Sequence, residues 1–270
     1  MRVPGAPVRT SSSEVSMAET SLLVAGRDPG STVLTLNRPH RRNALSIELM
    51  ERLCGTIDEL GSDSRERVVV LHGTGPAFCA GLDLKEAADP EAAREGAHWV
   101  ARTYRTLRET DLVTVAAAHG AAYAGGVGLL ACCDLVVAAD DLAIRMPEVR
   151  LGLVPAMVSA VLAPRIPAGA LSELAFLAEP IGAHRALELG LVQKVVEAGS
   201  ELTAAEAAAR TVLEGAPGAL RATKRLLRGL RSASARDALD MALDRHIEAR
   251  SSVEAREGLG AFFEGREPRW

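Results

Sequence analysis

A single carboxylate, Glu148, stands between two apolar runs, Met146-Pro147 before it and Leu151-Gly152-Leu153-Val154-Pro155 after it. Buried there, its charged form loses hydration, its pKa rises, and it suits proton transfer near neutral pH. At a surface it would be an ordinary solvated or N-capping glutamate. Three other segments carry unusual local chemistry. Phe78-Cys79-Ala80-Gly81-Leu82-Asp83-Leu84 is a small-residue run after an expected strand. Such a run either admits a ligand to main-chain N–H donors or makes a tight packing turn. Gly125-Gly126-Val127-Gly128-Leu129-Leu130-Ala131 formally contains the dinucleotide pattern G-x-G-x-x-A. Yet seven residues (119–125) separate Gly126 from the strand expected to end at Ala118, too many for the tight turn that pattern needs. What survives is general: glycines opening a helix offer free N–H groups and a positive dipole end to a negative oxygen. Finally, Arg38, Arg41 and Arg42 cluster in residues 36–46, which read as an anion clamp or as a solvated loop.

The remaining titratable candidates have plainer readings. His119, at a strand end before Gly120, reads as a buried, hydrogen-bonded residue rather than a base. Asp134 sits at a helix-to-strand junction and is expected to cap backbone N–H groups, and Asp140-Asp141 reads as a turn. Cys54, Cys79, Cys132 and Cys133 form no CxxC pair and have no histidine at metal spacing. They read as reduced thiols of a cytoplasmic protein, and no metal site is expected.

The elements that must position these residues follow from periodicity. Residues 32–36 (TVLTL) read as a strand ended by Pro39, which biases Arg38 away from helix. Ser46 is placed as the N-cap of a helix carrying Leu49, Leu53, Ile57 and Leu60, with Gly61 as its stop. Residues 68–71 form a β-branched buried strand, 91–108 a charged helix, 112–118 a strand, 126–133 a helix and 135–138 a strand. Strand and helix alternate, which argues for an α/β architecture with parallel pairing. After a last strand near 191–196 only helical patterns follow, including 219–230 and 236–249. Residues 1–17 are expected to be a disordered tail, with Met17 a candidate start; 18–200 form the core and 201–270 a helical module.

Composition narrows the functional class. The 270 residues carry 48% hydrophobic and 24% charged residues, enough for a sizeable core. A net charge of −4 and 3% aromatics lack the basic, base-stacking surface of a nucleic-acid binder. Residues 112–133 contain no charged side chain and are long enough to span a bilayer. His119, four glycines and the lack of flanking basic clusters favour a buried strand, turn and helix instead, with no membrane span.

Together, four stretches resemble the enoyl-CoA hydratase/isomerase (crotonase) superfamily. They are Leu36-Asn37-Arg38-Pro39 with Asn43-Ala44-Leu45-Ser46, Phe78 to Lys85, His119-Gly120 through Gly125-Gly126 to Cys133-Asp134, and Pro147 to Pro155. Ala183, Ala186, Gly190-Leu191-Val192 and Gly260-Ala261-Phe262-Phe263 also fit, so the resemblance runs from about Thr20 to the C-terminus. It implies a spiral of ββα units with C-terminal helices that build a homotrimer or a dimer of trimers. It further implies a coenzyme A thioester as substrate, with CoA part of that substrate and no separate cofactor. The family's two oxyanion N–H donors fall on Leu82 and Gly125, and its catalytic carboxylate falls on Glu148. Cys79 and Ala80 would meet the adenine through their main chain, and Arg42 would face the CoA phosphates. Asp83 would hold the loop, and Phe262 would pack near CoA, although the basic residue expected after it is Gly265. Acyl-chain selection would fall to residues 85–104, with Trp99 or Tyr104 as pocket or core. The decisive departure is Gly128, where two-carboxylate hydratases carry a second glutamate. A hydratase similar to bacterial methylglutaconyl-CoA hydratases is the expectation, with a single-glutamate isomerase or a non-catalytic acyl-CoA binder as alternatives.

Overall fold

The structure, a computed structural model, describes residues 20–231 and 233–270. The expected tail and the candidate start at Met17 lie outside the described residues. Strands β1 (Leu22–Asp28) and β2 (Ser31–Leu36) form an antiparallel hairpin, and only then does the sheet turn parallel. β3 (Val68–Gly73), β4 (Val113–Ala118), β6 (Leu135–Ala139) and β9 (Lys194–Val196) follow side by side in one six-stranded sheet. A smaller sheet holds β5 (Ala121–Tyr123), β7 (Ala143–Arg145) and β8 (Ile181–Gly182). The α/β expectation holds, but periodicity missed β1, β5, β7 and β8. All but β1 are too short for an alternation to register, and β1 carries Gly26 with a register shift between Gly26 and Asp28.

Helix α1 (Ile47–Ser62) starts as expected, with Ser46 Oγ accepting from Leu49 N–H at 3.2 Å. It runs one residue past Gly61, so that glycine does not stop it. Its buried side chains Leu49, Met50, Leu53, Cys54 and Ile57 recur at helical spacing against the sheet core. α2 (Pro90–Glu109) begins with Pro90 at its first position, while Asp89 accepts from the N–H groups of Glu91 and Ala92. It packs on α1 and on the short α3 (Gly125–Cys132). α3 is apolar all round and almost wholly buried, so the uncharged stretch at 112–133 is a strand, a turn with β5, and a core helix. Among the described residues no helix is long and apolar enough to cross a membrane.

α4 (Ala156–Leu162), α5 (Ala168–Leu177) and α6 (Ala183–Glu188) connect the smaller sheet to β9. α7 (Glu201–Leu213) then covers the second face of the large sheet. Its Ala205 and Ala209 pack with Val33, Val68, Val70, Val115, Ala117 and Val137. The division placed at residue 200 therefore falls before a helix that belongs to the core. The unburied part is α8 (Pro217–Leu230), α9 (Ala235–Arg250) and α10 (Val253–Glu264), where Lys224 and Ala261 alone are buried among the described side chains.

Candidate active site

The loop after β3 is pinned from both sides before it reaches Leu82. Asn43, held at a φ of 54°, donates through Nδ2 to the carbonyls of Thr74 and Ala77, each at 2.8 Å. Phe78 N–H donates to His119 O at 3.0 Å and Cys79 N–H to Ala121 O at 3.0 Å. Leu45 N–H then donates to Gly81 O at 2.7 Å, and Asp83 N–H to Leu45 O at 3.0 Å. Asp83 itself accepts from Arg38 at 2.8 Å and from Lys85 N–H at 3.1 Å. Burial works to raise its pKa, but these partners win and hold it below the usual value. Asp83 thus holds the loop, as expected of it.

This pinning leaves Leu82 N–H without a hydrogen-bond partner among the described residues. The same is true of Gly125 N–H, the first of α3, where no preceding turn supplies an acceptor. The two donors are neighbours: Leu82 N lies 3.6 Å from where a Cβ on Gly125 would stand. Ala124, just before, adopts φ 47° and ψ −113°. This is a strained conformation for a residue with a Cβ. It is secured by the bond from Ala124 N–H to Arg145 O at 2.9 Å. Gly125, directly after this strained residue, lines a cavity.

That cavity has a volume of about 490 Å³ and is lined by Leu82, Gly125, Tyr104 and Glu148, with Arg41 and Lys85 among its polar residues. Glu148 opens a one-turn 3₁₀ segment (Glu148–Leu151) ended by Gly152 at φ 72°. Its Oε2 is buried and has no hydrogen-bond partner. Burial accordingly pushes its pKa above the ordinary 4.5, only partly offset by its own backbone N–H. A carboxylate with a free lone pair beside two unpaired N–H groups can move a proton to or from an atom next to a held oxygen.

The position of Gly128 explains the missing second glutamate. A Cβ there would stand 1.9 Å from the Tyr104 hydroxyl, so the tyrosine fills the space that a side chain on residue 128 would need. Tyr104 is 3% exposed and its hydroxyl donates to Gly125 O at 3.0 Å. Burial first, then the nearby Cys132, Cys79 and Glu148, raise its pKa well above the usual 10, so the phenol stays neutral. The sequence left Tyr104 open between pocket and core; it is both. Trp99 lies outside the cavity wall and packs under the Arg102 guanidinium at 5.1 Å. Tyr104 and Gly128 lie 24 residues apart, on different helices, and no local pattern links them.

The other expected contacts fare unevenly. Leu82, Gly125, Glu148 and Ala80 come together at the cavity. Cys79 does not: it is fully buried, its thiol pushed up to about 12 by burial, and its N–H and C=O are both used by Ala121 and Tyr123. Ala80 N–H donates to Arg42 O at 2.9 Å, so of the two residues' main-chain groups the Ala80 carbonyl is left to meet a ligand. Arg42, at φ 51°, is exposed and off the cavity wall, whereas Arg41 is on it. Phe262 is 78% exposed and lies edge-on to Phe263, away from this cavity within one chain. A larger cavity of about 860 Å³ between α1, α2 and α8 has its Asp58 and Asp111 already paired with Arg102 and Arg225.

Comparison with known proteins bears on the family and the fold. The enoyl-CoA hydratase/isomerase family description matches residues 27–270. A putative enoyl-CoA hydratase of Thermus thermophilus is 36% identical over 243 residues, covering 88% of this chain and 96% of its own. A probable enoyl-CoA hydratase of Bacillus subtilis is 32% identical over 243 residues, covering 88% and 94%. Among solved structures, an enoyl-CoA hydratase from Bacillus anthracis superposes with a TM-score of 0.89 at 29% identity. That superposition covers 93% of this chain and 99% of the other.

Proposed function

The chain belongs to the enoyl-CoA hydratase/isomerase family and has the crotonase fold, and on that premise we propose that it hydrates an enoyl-CoA thioester with Glu148 as its sole carboxylate. Glu148, whose Oε2 is unpartnered, lines the same cavity as Leu82 and Gly125, whose N–H groups are unpartnered, and this carries the reading. The thioester oxygen accepts from both N–H groups, which stand ready where negative charge develops and need no reorganisation. Glu148 takes a proton from water as the water oxygen bonds to the β-carbon. The enolate then collapses and receives that proton at the α-carbon. Tyr104 is the neutral group where a second carboxylate would stand, and its hydroxyl oxygen holds the attacking water by accepting a hydrogen bond from it, no proton being transferred. Arg41 and Lys85, exposed at the cavity, are the cations for the CoA phosphates, in place of Arg42. The reaction needs no cofactor beyond the CoA of its substrate.

One observation favours a second reading. A single carboxylate suffices for double-bond isomerisation, since the same group removes a proton from one carbon and returns it to another. Incubation with crotonyl-CoA, methylglutaconyl-CoA and a 3-enoyl-CoA separates the two. Gain of the mass of one water supports hydration; a shifted double bond at constant mass replaces it with isomerisation. Binding of CoA esters without turnover would leave a binding protein.

Assembly is part of the proposal. α9 and α10 expose Leu239, Leu243, Ile247, Val253, Phe262 and Phe263. Exposed apolar side chains at this density mark an interface rather than a solvated end. Further copies of this chain are the proposed cover, as a homotrimer or a pair of trimers, and light scattering of the purified protein reads the mass directly.

A further inference from the structure

Three side chains from distant parts of the chain meet on the α7 side of the large sheet. His72 lies on β3, His119 directly follows β4, and Glu201 opens α7. One nitrogen from each histidine and one Glu201 oxygen all lie within 4.8 Å of one another. His119 Nδ1 is 3.6 Å from Glu201 Oε1, is buried, and has no hydrogen-bond partner. Glu201 is 5% exposed, an unusual depth for a glutamate with no lysine or arginine paired to it among the described residues.

From this convergence we propose that His72, His119 and Glu201 bind a divalent zinc-type cation. The far side of each ligand is already held by main chain. Ala117 O lies 3.2 Å from His72 Nδ1, which leaves Nε2 for a metal. Gly75 O lies 2.9 Å from His119 Nε2, which leaves Nδ1. Gly199 N–H donates to Glu201 Oε2 at 2.9 Å, which leaves Oε1. Metal-bound histidines characteristically give their second nitrogen to a carbonyl in this way, which sets tautomer and ring orientation. Two neutral imidazoles and one carboxylate suit zinc, with water completing the tetrahedron. Ligand bonds of about 2.0–2.1 Å at tetrahedral angles put ligand atoms roughly 3.3 Å apart. The His119–Glu201 spacing of 3.6 Å is near that already, and no pair among the three exceeds 4.8 Å.

The site stands independently of the catalytic reading. Its consequence is mechanical, because His119 also anchors the loop leading to Leu82 through Gly75 O and Phe78 N–H. The test takes the full-length protein stripped with a chelator and dialysed against micromolar zinc. Elemental analysis is expected to find one zinc per chain, with a rise in melting temperature. H72A and E201Q, each checked for a native circular dichroism spectrum, are expected to bind at least about 100-fold more weakly and to lose that rise. Absence of zinc binding, or unchanged affinity in either variant, overturns the site. Should a variant fail to fold, the wild-type protein decides alone by NMR. Zinc must shift the imidazole nitrogen signals of two of the six histidines, and unshifted signals overturn the proposal.

Discussion

The cavity wall and the seam where α8 meets the large sheet each hold a carboxylate, and the chain treats the two in opposite ways. At the seam, Asp134 Oδ2 accepts from Thr114 N–H at 2.8 Å and Thr114 Oγ1 at 2.9 Å. Lys224 Nζ lies 2.7 Å from the same oxygen and also donates to Leu112 O at 2.6 Å. Along the cavity, Glu148 Oε2 has no partner among the described residues. A carboxylate that fastens two elements gives its oxygen to donors from both and has that oxygen closed to a substrate. One that must accept a proton needs an open lone pair and a pKa raised toward neutrality, and desolvation without pairing supplies both. One region leaves a carboxylate oxygen open, and the other gives one oxygen three donors.

Exchanging the charge at each region tests the contrast most severely. Glu148→Gln should lower kcat by roughly 10³-fold with CoA-ester affinity nearly unchanged; retained turnover would mean another base acts. Lys224→Met should leave kcat as it was but lower unfolding stability by about 2 kcal/mol, because it removes the charged donor to Asp134 and to the Leu112 carbonyl. A denaturant titration reads that loss, and a cost near zero would dissolve the distinction between the two carboxylates.

Acidity separates the regions next. The raised pKa of Glu148 places the acid limb of kcat/KM above the ordinary 4.5, with activity falling as pH drops through the raised value. For stability the sign is reversed. Ionising Glu148 in the folded state is disfavoured, so its contribution declines as pH rises from the ordinary value through the raised one. Glu148→Gln should therefore melt higher than wild type at pH 8 and show less advantage at pH 4. Tyr104→Phe should reduce kcat by about 10-fold, through the lost hydroxyl beside the water, and an effect on KM alone would make the residue a packing element. The smallest change is expected from Ala124→Gly. It relieves a strained φ worth about 1 kcal/mol but loosens Gly125, so thermal stability should rise slightly while kcat falls.

Much of this was legible in the sequence. Ser46 capped α1, the β-branched run at 68–71 became β3, and Glu148 between apolar flanks became a half-buried carboxylate with an inaccessible Oε2. Those signals are local, set by propensity, spacing and flanking polarity. What escaped the sequence was set by contacts between segments. β5 and β7 are three residues each and exist because they pair with one another. Cys79 was expected at the adenine, yet its main chain is consumed by β5, which no short window shows. α7 was assigned with the exposed helices because alanine-rich amphipathic sequence looks alike on a sheet and in a bundle. Tyr104 facing Gly128 left no trace, since its partner is the absence of a side chain.

By itself the sequence determined the alternation of strands and helices, the α/β class and the glycines at the start of α3. Those follow from periods of two and 3.6 residues and from hydrophobic burial, which act over a few turns of chain. Only the tertiary structure decided which polar atoms would be left without partners. Leu82 N–H, Gly125 N–H and Glu148 Oε2 are open because neighbouring segments turn their own donors and acceptors elsewhere. His72, His119 and Glu201 meet across separations of 47 and 82 residues for the same kind of reason. Whether a polar group is satisfied depends on what surrounds it in space, and chain order records that only indirectly.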